Sequence, residues 1–229
     1  MKQAYCSTRS LTDERKENNT MRLMDAKVFL EQEINQDEIL KHIEKAGRVC
    51  YKSEGKINDG SAEPFIKGLI KREHESVIEH YSITFRIICD RGVTHELVRH
   101  RLASYSQEST RYCNYSKDSF GNEITFIRPC FWEENDKQFL IWKKAMENAE
   151  KSYMELINAG ANQQEARDVL PNSVKTEIFV TMNIRSWRHF IKLRTGKNAH
   201  PQMREVALMI HGILCDKLPV LFEDISIDN

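Results

Sequence analysis

The chain has 229 residues, enough for one sizeable core, and its 40% hydrophobic and 30% charged content excludes a disordered polypeptide. Lys+Arg and Asp+Glu both number 34, so net charge is zero and the basic surplus of a general nucleic-acid binder is missing. No apolar run reaches membrane-spanning length, and the six cysteines are widely spaced without a C-x-x-C pair. This points to a cytoplasmic protein with reduced thiols, away from a membrane, a zinc site or a disulfide framework.

Residues 1–23 are polar and uneven and lack an apolar h-region, so they read as a mobile extension rather than a signal peptide. Residues 24–229 read as one domain, with no repeat and no Pro/Gly-rich linker. The first helix is predicted over 36–50, with Asn35 as its cap and Ile39, Leu40, Ile43, Ala46 and Val49 on one side. A second begins near Pro64 and carries Phe65, Ile66, Leu69 and Ile70. In "HYSITFRIICD" the alternation of Tyr81, Ile83, Phe85, Ile87 and Cys89 predicts a strand with one core face. Asp90 then caps a helix expected to stop near Arg101, followed by a long polar loop. A long helix is expected over 134–159, with Phe139, Leu140, Trp142, Met146, Ala149, Tyr153 and Leu156 buried and Gly160 as its stop. A short helix over 164–170 ends at Pro171, a strand occupies "SVKTEIFVTMN", and helices over 186–193 and 201–217 close the chain. Many helices around few strands predict an α+β fold, a single domain with helices packed around a small, mainly antiparallel sheet. No G-x-G-x-x-G follows a strand, so a Rossmann cofactor site is not supported.

The chemistry-bearing residues fall in three groups. "RHRLASYSQESTRYCN", Arg99 to Asn114, gathers Arg99, Arg101, Arg111 and His100 with the hydroxyls of Ser104, Ser106, Ser109 and Thr110. Arginine forks match phosphate oxygens and the hydroxyls add short donors, a mixture suited to a sugar phosphate. The alternative is a solvated basic loop paired with Glu96 and Glu108. Downstream, Arg167, Asn183, Arg185 and Arg194 read either as surface residues or as cleft residues beside core positions. Upstream, "HESVIEH" holds His74, Glu75, Ser76, Glu79 and His80 without H-E-x-x-H spacing, so no metal is expected. A nucleophilic Cys113 or Ser109 would need a positioned base, and the sequence shows none.

"RHRLASYSQES", Arg99 to Ser109, resembles the R-H-R-x7-S signature of the flavin-dependent thymidylate synthases. "HESVIEH", "TRY", "EARDVLP", "NIRS", "LR" and "AHPQMRE" follow the family's order, and the likeness runs from about Met24 to Phe222. The resemblance implies a homotetramer with active sites between subunits, converting dUMP to dTMP with FAD, 5,10-methylenetetrahydrofolate and NADPH. It assigns FAD contacts to Ser76, Arg99, His100, Arg101, Gln107, Asn183, Ile184, Arg185 and His189. It assigns dUMP contacts to Glu96, Leu97, Val98, Arg99, Gln107, Glu108, Ser109, Thr110, Arg111, Arg167 and Arg194. Arg194 matches the arginine that activates uracil by favouring N3 ionisation, which needs no enzyme nucleophile. Ser106-Gln107 replaces the more usual Asn-Glu, and Glu96 stands where some relatives have Gln. Two rival readings are a nucleotide- or RNA-binding module without catalysis, and a flavoprotein of the same fold acting on another pyrimidine nucleotide.

Overall fold

A computed structural model describes residues 21–116 and 123–227. The described chain runs β1 (Arg22–Met24), β2 (Lys27–Leu30), α1 (Gln36–Val49), α2 (Ala62–Lys71), β3 (Ser82–Asp90), α3 (Arg91–Leu97), β4 (Ala103–Gln107) and β5 (Thr125–Ile127). It continues α4 (Lys137–Asn158), α5 (Gln163–Ala166), β6 (Lys175–Asn183), α6 (Ile184–Arg194), α7 (Pro201–Lys217) and α8 (Pro219–Phe222). Short 3-10 segments cover Glu75–His80, ahead of β3, and Arg167–Val169, after α5. No helix among the described residues is long and apolar enough to cross a membrane.

The architecture is α+β in a single domain. A four-stranded antiparallel sheet has the order β2-β3-β6-β4, and β1 pairs with β5 in a separate parallel pair. In β3 the alternation places Ile83, Phe85, Ile87 and Cys89 inward, and in β6 Thr176, Ile178, Val180 and Met182 share that face. Helices α1, α2, α6 and α7 cover it. Trp187 of α6 is fully buried, donates from Nε1 to the Ile83 carbonyl at 2.9 Å, and meets Phe85 edge-on at 5.1 Å. Gly47 lets α1 approach α2, since a Cβ there would come within 2.8 Å of the Phe65 ring. A second cluster, including Ile124, Phe126, Met146, Tyr153 and Val174, packs α4 against β5.

Several expectations change. The region after α3 is not a long loop. Ala103–Gln107 forms an edge strand with Ala103 opposite Met182 and Gln107 opposite Ile178. Helix α3 ends at Leu97, not near Arg101. The Tyr105 hydroxyl fixes that end, lying 2.6 Å from the His100 carbonyl and 2.9 Å from that of Leu97. In α4 the predicted core residue Leu140 is 55% exposed, and in α1 Val49 is 53% exposed. Met21 is buried and Arg22–Met24 is paired with Thr125–Ile127, so residues 21–23 belong to the fold. The rest of the polar extension, residues 1–20, lies outside the described residues.

Candidate active site

The strand order decides which signature residues meet. Because β4 runs antiparallel to β6, the residues just before β4 lie beside the start of α6. Asn183 caps that helix by accepting from the Ser186 N–H at 2.8 Å. A cleft of about 580 Å³ opens there, lined by Glu75, Glu79, Arg99, His100, Arg101, Leu102, Arg185, Ser186, His189, Leu193 and Arg194. The sequence therefore named most of its charged lining. Ser76 and Val98 are exposed nearby in the chain, whereas Leu97 and Ile184 are fully buried.

Arg194 is held on three sides. Its Nη1 donates to Glu96 Oε2 at 2.6 Å, its Nη2 to the Glu96 carbonyl at 3.2 Å, and its Nε to His100 Nε2 at 3.0 Å. A guanidinium can only donate, so His100 Nε2 is the acceptor and its ring is neutral with the proton on Nδ1. Burial, reinforced by the charges of Arg194 and His189, pushes the His100 pKa down to about 4. His100, expected as an FAD contact, lines the cleft but is only 8% exposed, with Nε2 turned toward Arg194. On the opposite wall, Arg185 donates to Glu79 at 2.6 Å, and Glu75 faces Arg185, Arg188 and Lys192 at 3.8, 3.3 and 3.7 Å.

The other signature residues lie elsewhere. Gln107, Glu108, Ser109, Thr110 and Arg111 are at the far end of β4, separated from Ala103 by roughly 13 Å of extended strand. Arg167 Nη1 reaches Thr110 Oγ1 at 3.4 Å, and Arg111 Nε reaches Gln164 Oε1 at 3.2 Å. Ser109 Oγ accepts from the Arg111 N–H at 3.3 Å. Two expected ligand contacts, both partly buried, have partners within the chain. The Glu108 carboxylate accepts from Lys175 Nζ at 2.7 Å and the Tyr115 hydroxyl at 3.2 Å, while Gln107 Nε2 donates to Thr94 and Thr176 hydroxyls. These two side chains support the loop. Cys113 is half-buried, and burial, followed by the Glu108 charge, raises its thiol pKa, which opposes a thiolate role.

Lys175, Tyr115 and Arg188 were not singled out from the sequence. Arg188 carried a signal: it falls on the same helical face as Ile184, Trp187 and Ile191, where a cation must find partners. It is 1% exposed, with its guanidinium on both carboxylate oxygens of Asp224 at 2.6 Å, on Glu75 and on the Leu221 carbonyl.

The donor set at the cleft fits a phosphate-bearing flavin. Arg99 and Arg101 are exposed, and among the described residues neither side chain has a carboxylate at ion-pair distance. Leu102 and Leu193, 79% and 53% exposed, supply apolar surface of the kind a flat ring system covers. Leu102 sits at φ 63°, a left-handed conformation that is costly for leucine and marks a constrained turn.

Comparison with known proteins places the chain in a family. The family description "Thymidylate synthase complementing protein" matches residues 33–220. A Pyrococcus furiosus protein named flavin-dependent thymidylate synthase is 40% identical over 153 residues, covering 66% of this chain and 62% of its own length. The chain thus spans less than two thirds of that relative. A Geobacter sulfurreducens protein of the same name is 34% identical over 186 residues, covering 78% of both chains. In solved structures, the UMP/dUMP methylase PolB from Streptomyces cacaoi bound with 5-Br dUMP superposes with a TM-score of 0.72 at 27% identity, covering 89% of this chain and 96% of that one. With its signature, its fold and a match over residues 33–220 in agreement, the chain belongs to the thymidylate synthase complementing protein family, among the flavin-dependent thymidylate synthases.

Proposed function

We propose that this protein methylates dUMP to dTMP, using FAD, 5,10-methylenetetrahydrofolate as carbon donor and NADPH as reductant. The observation that carries this reading is Arg194, fixed by Glu96 and His100 at the edge of a cleft that also presents Arg99 and Arg101. Arg99 and Arg101, with Arg185, Ser186 and His189 across the cleft, would hold the flavin. When bound, the flavin supplies the hydride that completes the methyl group. The chain's own part is electrostatic. A cation beside the N3–O4 edge of uracil favours loss of the N3 proton. The ionised ring is richer in electrons at C5, which would bond to the folate's methylene carbon as one of that carbon's bonds to nitrogen breaks; loss of the C5 proton and of the second carbon–nitrogen bond then releases tetrahydrofolate. No protein nucleophile is required, consistent with a protonated Cys113 at the far end of β4. Assay of the flavin-loaded protein with all co-substrates, with product identification, tests this; absence of dTMP would overturn it. UMP belongs in the same assay, because PolB was solved with the bromo analogues of both dUMP and UMP.

The two arginine groups lie at opposite ends of β4, with roughly 13 Å of extended strand between them. This supports a homotetramer whose active sites each join one end of one subunit to the other end of a neighbour. Mixed oligomers of Arg167→Ala and Arg194→Ala chains, each inactive alone, are then expected to recover about one active site in four by random pairing. Verified mixed oligomers without any recovery would rule out shared sites.

A further inference from the structure

We infer that Glu96 and His100 are positioning residues for Arg194, and that the Glu96 carboxylate sets how much positive charge Arg194 offers to the pyrimidine. This rests on the proposed role of Arg194 in activating uracil.

The argument counts donors. A guanidinium has five N–H groups. In Arg194, Nε uses its one on His100, Nη1 uses one on Glu96 Oε2, and Nη2 uses one on the Glu96 carbonyl. Two donors remain, one on each Nη. Neutral uracil presents a donor at N3 and an acceptor at O4, so one of these N–H groups would face another N–H. Ionised uracil presents two adjacent acceptors, N3 and O4, and matches both. The selectivity for the ionised base therefore depends on the guanidinium being held in one orientation, which a long, freely rotating side chain does not achieve alone.

The holding groups come from an element distant in sequence and are themselves fixed. Glu96 lies in the last turn of α3, and Tyr105 closes the backbone just beyond it. The His100 ring packs against Phe190 at 5.1 Å, and His100 is nearly buried. Glu96 of α3 touches Arg194, and the charged and titratable groups lining the cleft with it are Arg99, His100 and Arg101 of the turn after α3, Arg185 and His189 of α6, and Glu75 and Glu79 across the cleft. Glu96 is the carboxylate in direct contact. A neutral amide there would keep the hydrogen bond and remove the compensating charge.

The test uses the flavin-loaded protein with five variants. His100→Phe removes the acceptor and is expected to lower kcat about tenfold or more with little change in KM for dUMP, the pattern of a lost transition-state interaction. His100→Gln, which keeps an acceptor oxygen, is expected to recover most of that loss. Glu96→Ala is expected to behave like His100→Phe. Glu96→Gln is expected to move the acid limb of the pH–rate profile about one unit lower, since removing the carboxylate favours the ionised base. Unchanged kcat in both His100→Phe and Glu96→Ala, with Arg194→Ala inactive, would overturn this inference alone. Turnover surviving in Arg194→Ala would remove the activating role itself. A rise in KM common to Glu96→Gln and Glu96→Ala would make Glu96 a direct substrate ligand and also overturn the proposal. Melting temperatures and flavin content of each variant separate these effects from misfolding.

Discussion

Replacing Arg194 by alanine is expected to lower dTMP formation at least about 10²–10³-fold, the usual cost of deleting one preorganised charge stabiliser, while flavin stays bound. The two halves of this expectation have different origins. Turnover falls because the proposed N3 anion loses the only cation that Glu96 and His100 jointly orient. Flavin stays because the Arg99, Arg101 and Arg185 side chains are separate donors from Arg194 on the cleft wall, and Arg185 has its own anchor on Glu79. Lysine is not expected to rescue. It has a single charged nitrogen and cannot reach the Glu96 carboxylate, the Glu96 carbonyl and His100 in the planar arrangement of the guanidinium. The measurements are dTMP formation and flavin absorbance on the same preparation. Activity within tenfold of wild type would place the activating charge elsewhere.

The largest expected effect on stability is at Arg188. Its replacement by alanine is expected to cost about 3 kcal/mol, toward the lower part of the range for breaking a buried charge pair, because Asp224 is partly exposed and can rehydrate. What stays behind is costly: the Leu221 carbonyl and the inner oxygen of Glu75 lose their buried donor. The same guanidinium ties the C-terminal segment to the 3-10 segment that carries Glu75, Ser76 and Glu79, so flavin affinity is expected to fall with stability. The pH dependence has a defined sign. Burial works to raise the Asp224 pKa, but the Arg188 pair outweighs it and holds the carboxyl below its ordinary value. A depressed carboxylate contributes stability above its unfolded pKa and loses it as pH falls through the folded pKa. Wild type is therefore expected to lose this increment on acidification, and Arg188→Ala to lack it at neutral pH. Urea denaturation at two pH values checks both; equal wild-type and variant midpoints at pH 7 would contradict the assignment.

How much of this was legible depends on how local the signal was. Strand β3, helix α6 and the caps Asn35 and Asp90 were readable because alternation, helical period and capping side chains act within a few residues. Strand β4 was not. Its inward residues Ala103, Tyr105 and Gln107 make no apolar alternation, and its extended form is set by pairing with β6, some 75 residues downstream in register. The short β1 and β5 have the same origin, since their pairing joins residues about a hundred positions apart. At the site, composition picked out Arg99, His100 and Arg101, and the family resemblance joined Arg194 to them, but neither gave their partners. The contact of Arg194 with His100 joins residues 94 positions apart, and no local pattern encodes it. Gln107 and Glu108 were assigned ligand contacts by the family resemblance, while the loop itself suggested only that Glu108 could pair with an arginine. Once the loop proved to be an edge strand, Thr94, Thr176, Lys175 and Tyr115 became their partners.

Strand β4 also acts as a ruler. It occupies most of the interval between the R-H-R triplet and Ser109, and its ends set the spacing and facing of both arginine groups. A pleated strand reverses its side chains at every step, so adding or removing one residue would turn everything beyond that point to the opposite face. Tyr105 would leave the end of α3, and Glu108 would leave Lys175. Only changes of two residues preserve phase, and each would move the two ends roughly 7 Å relative to one another. The seven-residue gap in the signature is thus a length standard with no tolerance in either direction, a restriction that comes from backbone geometry before any ligand is considered.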